Sequence, residues 1–106
     1  MMKTHESIDR RSLAMARAIA ATIDADPVRS GLTKARAVCQ RWYLQRGAPT
    51  HKEWLGILER PWSEVRGVLL DESEEGRRLR QSSPFCGILG PDERWAIYRA
   101  WPEDDT

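Results

Sequence analysis

Apolar residues recur along the chain at helical spacing, in stripes separated by proline, glycine and small polar residues. From about Thr4–Ser7 to Ala25, the positions Ile8, Ser12, Met15, Ile19 and Ile23 stand three or four residues apart, widened by Leu13, Ala16 and Ala20. That spacing predicts one amphipathic helix. Asp26-Pro27 then supplies an N-cap and a first-turn proline for a second helix, with Val28, Leu32, Ala35, Cys39 and Trp42 on its apolar face and Ser30-Gly31 loosening its first turn. Gly47 ends it, as glycine commonly does one residue past a helix. Thr50-His51-Lys52-Glu53 has capping-box spacing and predicts a short third helix that buries Trp54, Leu55 and Leu58.

Pro61 restarts the chain into a fourth helix carrying Trp62, Val65, Val68 and Leu69. Asp71–Glu75 caps a polar fifth helix, its acids near the positive dipole end and Arg77, Arg78 and Arg80 toward the negative end. Ser82-Ser83-Pro84 breaks helicity, and Phe85-Cys86-Gly87-Ile88-Leu89-Gly90 reads as either a buried loop or one short strand. Pro91-Asp92-Glu93 opens a last helix with Trp95, Tyr98 and Trp101. The expected fold is all-α: a compact bundle of five to six helices in a single domain over residues 1–102, with 103–106 a disordered acidic tail.

Leu13–Ala21, the longest nearly apolar stretch, is interrupted by Arg17 and falls well short of the roughly 20 apolar residues a membrane span requires. The N-terminal residues lack the basic-then-apolar pattern of a secretory leader. Cys39 and Cys86 read as two reduced, largely buried thiols, so a cytoplasmic location and no membrane partner are expected.

Seventeen cations against sixteen acids, a formal net charge of +1, exclude a polycation or an acidic disordered tail as the whole protein. The distribution is uneven. Arg29, Lys34, Arg36, Arg41, Arg46 and Lys52 lie between Pro27 and Lys52 with no acid among them, leaving eleven cations against sixteen acids elsewhere. The second helix is therefore expected to carry a basic face opposite its apolar stripe. That face suits nucleic-acid phosphates, an acidic protein surface, or internal pairing with Asp71–Glu75. Fourteen of the seventeen cations are Arg, for which GC-rich coding is a simpler explanation than selection for a partner.

Catalytic chemistry is missing from the pattern. His5 and His51 are the only histidines, no serine sits in a nucleophile elbow, and there is no glycine-rich phosphate loop. Cys39, Cys86, His5 and His51 lack the paired short spacing of a zinc site. The expectation is a non-enzymatic protein with no cofactor.

Binding features remain. Five tryptophans exceed what a core this size needs. Trp42, Trp54, Trp62 and Trp95 fall on apolar faces and are expected buried, whereas Tyr43 and Trp101 are candidate exposed anchors, since aromatics and Arg dominate interface hot spots. Arg80 to Leu89, with Ser82, Ser83 and Phe85 at its centre, is either a partner-binding loop or core-filling chain. The second and third helices also read as a helix-turn-helix with Thr50, His51 and Lys52 as recognition residues, although Trp54, Leu55, Ile57 and Leu58 use up most of the reading helix.

Leu79-Arg80-Gln81-Ser82-Ser83-Pro84-Phe85-Cys86-Gly87-Ile88-Leu89, followed by Glu93-Arg94-Trp95-Ala96-Ile97, resembles the C-terminal signature of small helical bacterial proteins, some of them antitoxin-like members of toxin–antitoxin pairs. Glu6-Ser7, Ser12-Leu13-Ala14-Met15 and Trp54-Leu55 are similar too, so the likeness covers about a third of the chain. No ribbon-helix-helix or repressor-type DNA-binding half accompanies it, which bears on autoregulation more than on toxin binding. The resemblance implies an antitoxin-like inhibitor or regulator of a partner protein, a cognate toxin or a defence protein. A phage-encoded inhibitor of a host defence complex and a small DNA-binding regulator are the alternatives, with homodimerisation open. The candidate contact residues are Arg29, Lys34, Arg36, Arg41, Tyr43, Arg46, Lys52, Ser82, Ser83, Phe85 and Trp101.

Overall fold

A computed structural model describes residues 4–101, with side chains from residue 10 onward; the acidic tail expected at 103–106 and the side chain of Ile8 lie outside these. Among the described residues six helices follow one another: α1 Thr4–Asp24, α2 Ser30–Arg46, α3 Pro49–Leu58, α4 Trp62–Leu69, α5 Glu74–Arg80 and α6 Pro91–Ala100. Among the described residues there is no strand, and the Cα radius of gyration is 14.0 Å, near the roughly 13 Å of a compact chain this long.

The predicted stripes make the core. Ala16, Ile19, Ile23, Leu32, Ala35, Cys39, Trp54, Leu58, Val65 and Leu69 meet in one cluster with Leu79, Phe85 and Leu89. Removing each large apolar side chain from water contributes about 1.5–3 kcal/mol. Trp54 is fully buried at the centre; its indole N–H donates to Leu79 O at 2.9 Å, and its ring meets Phe85 edge-on at a centroid distance of 6.0 Å. Two further bonds lock α2 to α3: Arg36 Nε donates to Leu58 O at 2.8 Å, and Cys39 Sγ donates to His51 O at 3.3 Å.

Several helix ends differ from expectation because a non-local partner or a turn takes the capping group. After α1 the chain turns through Arg29, which adopts left-handed φ 51° and ψ 49°, so α2 begins at Ser30 and not at Pro27-Val28. The Asp26 carboxylate still caps the turn, accepting the Val28 and Ser30 N–H groups at 3.1 and 2.8 Å, while Val28 is left in solvent and off the apolar face. Gly47 ends α2 as expected, at φ 64° with its N–H on Tyr43 O.

The capping box at Thr50–Glu53 does not form. Ala48 is the N-cap of α3, Thr50 Oγ1 pairs with Ser82 Oγ at 2.6 Å, and the Glu53 carboxylate is held by Arg78. Ser73 caps α5, with Glu74 and Glu75 in its first turn. Between α4 and α5 the backbone closes tightly: a Cβ on Gly76 would lie 2.1 Å from Asp71 O, so only glycine fits there.

Residues 84–87 form consecutive turns, which settles the apolar run as a largely buried loop. Pro84, Phe85 and Leu89 enter the core, but Cys86 and Gly87 face solvent. The expectation of two buried thiols therefore holds for Cys39 alone. The last helix buries none of its residues fully. Trp95, expected in the core, is 61% exposed: α6 packs chiefly on α1 and turns Trp95 to solvent. Trp42 and Trp62 are half-buried.

Arg80, placed by its sequence with Arg77 and Arg78 toward the negative dipole end of a polar helix, is buried. Its guanidinium reaches back across three elements, donating to Ser12 Oγ of α1 at 3.0 Å, to Leu69 O of α4 at 3.0 Å and to Asp71 O.

Candidate interaction faces

The basic segment does not form one stripe. At about 100° per residue, Lys34 and Arg41 lie within about 20° of each other on α2, while Arg36 and Arg46 are each about 140° from Arg41. Lys34, Ala37, Arg41 and Leu44 share one exposed sector at i, i+3, i+7 and i+10, and Leu44 is 78% exposed within it. Arg36 is turned toward α3, where its Nε is engaged, and the half-buried Arg29 donates from Nη1 to Ile23 O at 3.2 Å. Tyr43 is half-buried and Lys52 is exposed on α3.

Internal pairing with Asp71–Glu75 does not occur. Asp71 accepts from the Ser73 N–H and hydroxyl, Glu72 pairs with Arg17 at 3.7 Å, and Glu75 pairs with Arg78. Elsewhere Asp24 accepts from Trp62 Nε1 at 2.7 Å and from Arg66 Nε at 2.9 Å. These contacts hold the Asp24, Asp71 and Glu75 carboxyls below their ordinary range, through the Trp62 N–H, the Ser73 N–H and the Arg78 guanidinium respectively. Lys34, Arg36, Arg41, Arg46 and Lys52 have no ion pair among the described residues.

Three of the candidate contact residues do converge. Arg46 from the last turn of α2 and Ser82 and Ser83 from the turn after α5 line a cleft of about 410 Å³, together with Trp42, His51, Gln81 and Cys86. His51 is 93% buried, its ring packs on Trp42 at a centroid distance of 5.3 Å, and Nδ1 has no hydrogen-bond partner. The Ser82 hydroxyl is engaged with Thr50, whereas the Ser83 hydroxyl accepts from Phe85 N at 3.2 Å and keeps its own proton to donate. The sequence pattern places Trp42 in the core and offers His51 as a catalytic base, a metal ligand or a base-reading residue, not as a wall of a cleft. The i, i+4 spacing of Trp42 and Arg46, ending at the Gly47-Ala48-Pro49 turn before His51, was the available signal.

Phe85 is fully buried beside Trp54 and is not a contact residue. Trp101 is 41% exposed at the end of α6, where Tyr98 lies beneath the Arg11 guanidinium at 4.7 Å and meets Trp95 edge-on at 6.1 Å. No helix among the described residues is long and apolar enough to cross a membrane. A search of family models, of curated proteins and of solved structures finds none that this chain matches.

Proposed function

We propose that this chain is a non-enzymatic protein-binding module that docks the outer face of α2 onto an acidic surface of a partner protein and restrains that partner, as an antitoxin restrains its toxin. The observation that carries this reading is a run of cations on a segment that holds no acid of its own: Lys34, Arg36, Arg41 and Arg46 of α2, with Lys52 of α3, have no ion pair among the described residues. Leu44, exposed beside Arg41 and in the same sector as Lys34, supplies the apolar contact such a face needs. Its spacing with Ala37 suits a partner groove that takes one helix face.

Duplex recognition is less well supplied. In the helix-turn-helix reading α3 would enter the major groove, but its exposed residues are Pro49, Lys52, Glu53 and Gly56, and Arg78 fixes the Glu53 carboxylate at 2.8 Å. Base reading needs three or four polar side chains that reach the base edges.

Co-expression with the product of the adjacent open reading frame tests the proposal. The two proteins should co-purify and the toxicity of the neighbour should be relieved. Separate elution with undiminished toxicity, or a salt-sensitive gel shift with DNA and no protein complex, would defeat it.

A further inference from the structure

The cleft between the end of α2, the start of α3 and the turn after α5 has a donor inventory that no internal group uses. Trp42 Nε1–H, the Arg46 guanidinium and the Gln81 amide have no hydrogen-bond acceptor among the described residues. His51 Nδ1 is enclosed and has no hydrogen-bond partner, whereas Nε2 is not enclosed, and the Ser83 hydroxyl donates to no group among the described residues. No Asp or Glu is among the described lining residues, so the fixed charge of Arg46 is not neutralised from within.

The His51 ring is held in place by its contact with Trp42 and by the bond from Cys39 to its carbonyl, which leaves Nε2 as the ring nitrogen that a ligand can reach. At about 410 Å³ the space is that of a small-ligand site and not of a buried water.

We propose that this cleft binds a small oxyanion, a phosphate or carboxylate group on an organic molecule, with Arg46 as its counter-charge. The His51 imidazole, the Ser83 hydroxyl and the Gln81 amide donate to its oxygens. Trp42 forms an aromatic wall against the organic part. A planar guanidinium fork with converging neutral donors is the usual equipment for such groups. The site is separate from the outer face of α2, since Arg46 is about 140° around the helix from Arg41.

The test is titration of the full chain with phenyl phosphate and with benzoate, at ionic strength held constant with chloride, read by NMR at the His51 ring nitrogens and the indole N–H groups. At least one of the two should give saturable shifts at His51 and Trp42 while the buried Trp54 indole stays still; the tighter of the two names the group. R46Q should weaken binding at least tenfold and Q81A two- to fivefold. R41Q, which makes the same change in net charge on the outer face, should stay within twofold of wild type. Both arginines are exposed, so neither variant is expected to disturb folding, and a near-UV spectrum checks this. Shifts that fail to saturate with both probes overturn the proposal, as does equal weakening by R41Q and R46Q. Because no partner protein is present, failure here is independent of whether the outer face of α2 docks a protein.

Discussion

Replacing Arg80 by Met keeps most of the apolar stem and deletes the guanidinium that joins α1, α4 and α5. The bonds to Ser12 Oγ, to Leu69 O and to Asp71 O are among those lost. The Leu69 bond is buried and the other two partly so, and a carbonyl left without a donor costs about 1–3 kcal/mol. Two such carbonyls, less the gain from packing a neutral thioether in place of a desolvated charge, give an expected loss of about 3–5 kcal/mol. Domains of this size are stable by only about 5–15 kcal/mol, so the loss is a large share. With a urea slope of about 1–3 kcal/mol/M, the unfolding midpoint should fall by about 2 M. Fluorescence-detected urea unfolding of wild type and R80M, with the slope fitted separately, measures it. A midpoint within 0.3 M of wild type (roughly 0.5 kcal/mol) would refute the view that Arg80 ties the three elements together.

Other outcomes follow from single contacts. Gly76→Ala gains about 1 kcal/mol of helix propensity, but its Cβ would meet Asp71 O at 2.1 Å, so a net loss of about 2–3 kcal/mol is expected in the same unfolding assay. Gly67→Ala, in open space on α4, should instead stabilise by about 0.5–1 kcal/mol, and equal effects would contradict the steric argument. Cys86, in solvent, should react with a thiol reagent in seconds to minutes, whereas Cys39, whose thiol is buried and whose pKa burial pushes up, should react only on unfolding; two fast thiols in the native state would be the wrong result. Asp24, Asp26, Asp71 and Glu75 all have folded pKa values held below the ordinary carboxylate range, by the Trp62 N–H, the Ser30 hydroxyl, the Ser73 N–H and the Arg78 guanidinium respectively. The unfolded chain therefore takes up protons first on acidification, so their stabilisation is complete above about pH 5 and is lost as pH falls through the depressed folded values. Urea midpoints between pH 7 and pH 2.5 should be flat and then fall; a rise below pH 4 would reverse the sign.

Helix number and the core stripes were legible because they depend on local spacing. Ile19 and Ile23 on α1, Leu32, Ala35 and Cys39 on α2, and Val65 and Leu69 on α4 each stand three or four residues apart, and their burial follows from that spacing. Gly47 was legible for the same reason, since a glycine at a helix end has few other uses. Some of the misread positions have distant partners. Thr50 and Glu53 have the right spacing to cap one another, but Ser82 is 32 residues away from the first and Arg78 is 25 from the second, and those contacts prevail. Trp95 shares a helix face with Tyr98 by periodicity, yet periodicity cannot say whether another element covers that face. Phe85 and Cys86 are neighbours in a loop with no repeat, so the burial of one and exposure of the other had no local signature. The cleft required three segments to meet, and the unpartnered His51 ring exists only once the turn after α5 lies beside it.

The docking claim rests on two residues that can be inverted without touching the core. Lys34 and Arg41 are exposed, share one sector of α2 and pair with no acid among the described residues. The most direct measurement is the affinity of the full chain for the product of the adjacent open reading frame, wild type against K34E/R41E, at two salt concentrations. Exposed ion pairs contribute about 0.2–1 kcal/mol each, and reversal adds repulsion of similar size. The double variant should bind roughly ten- to a hundredfold more weakly, and its affinity should depend less on salt than that of wild type. Unchanged affinity with an unchanged salt dependence would contradict docking through this face.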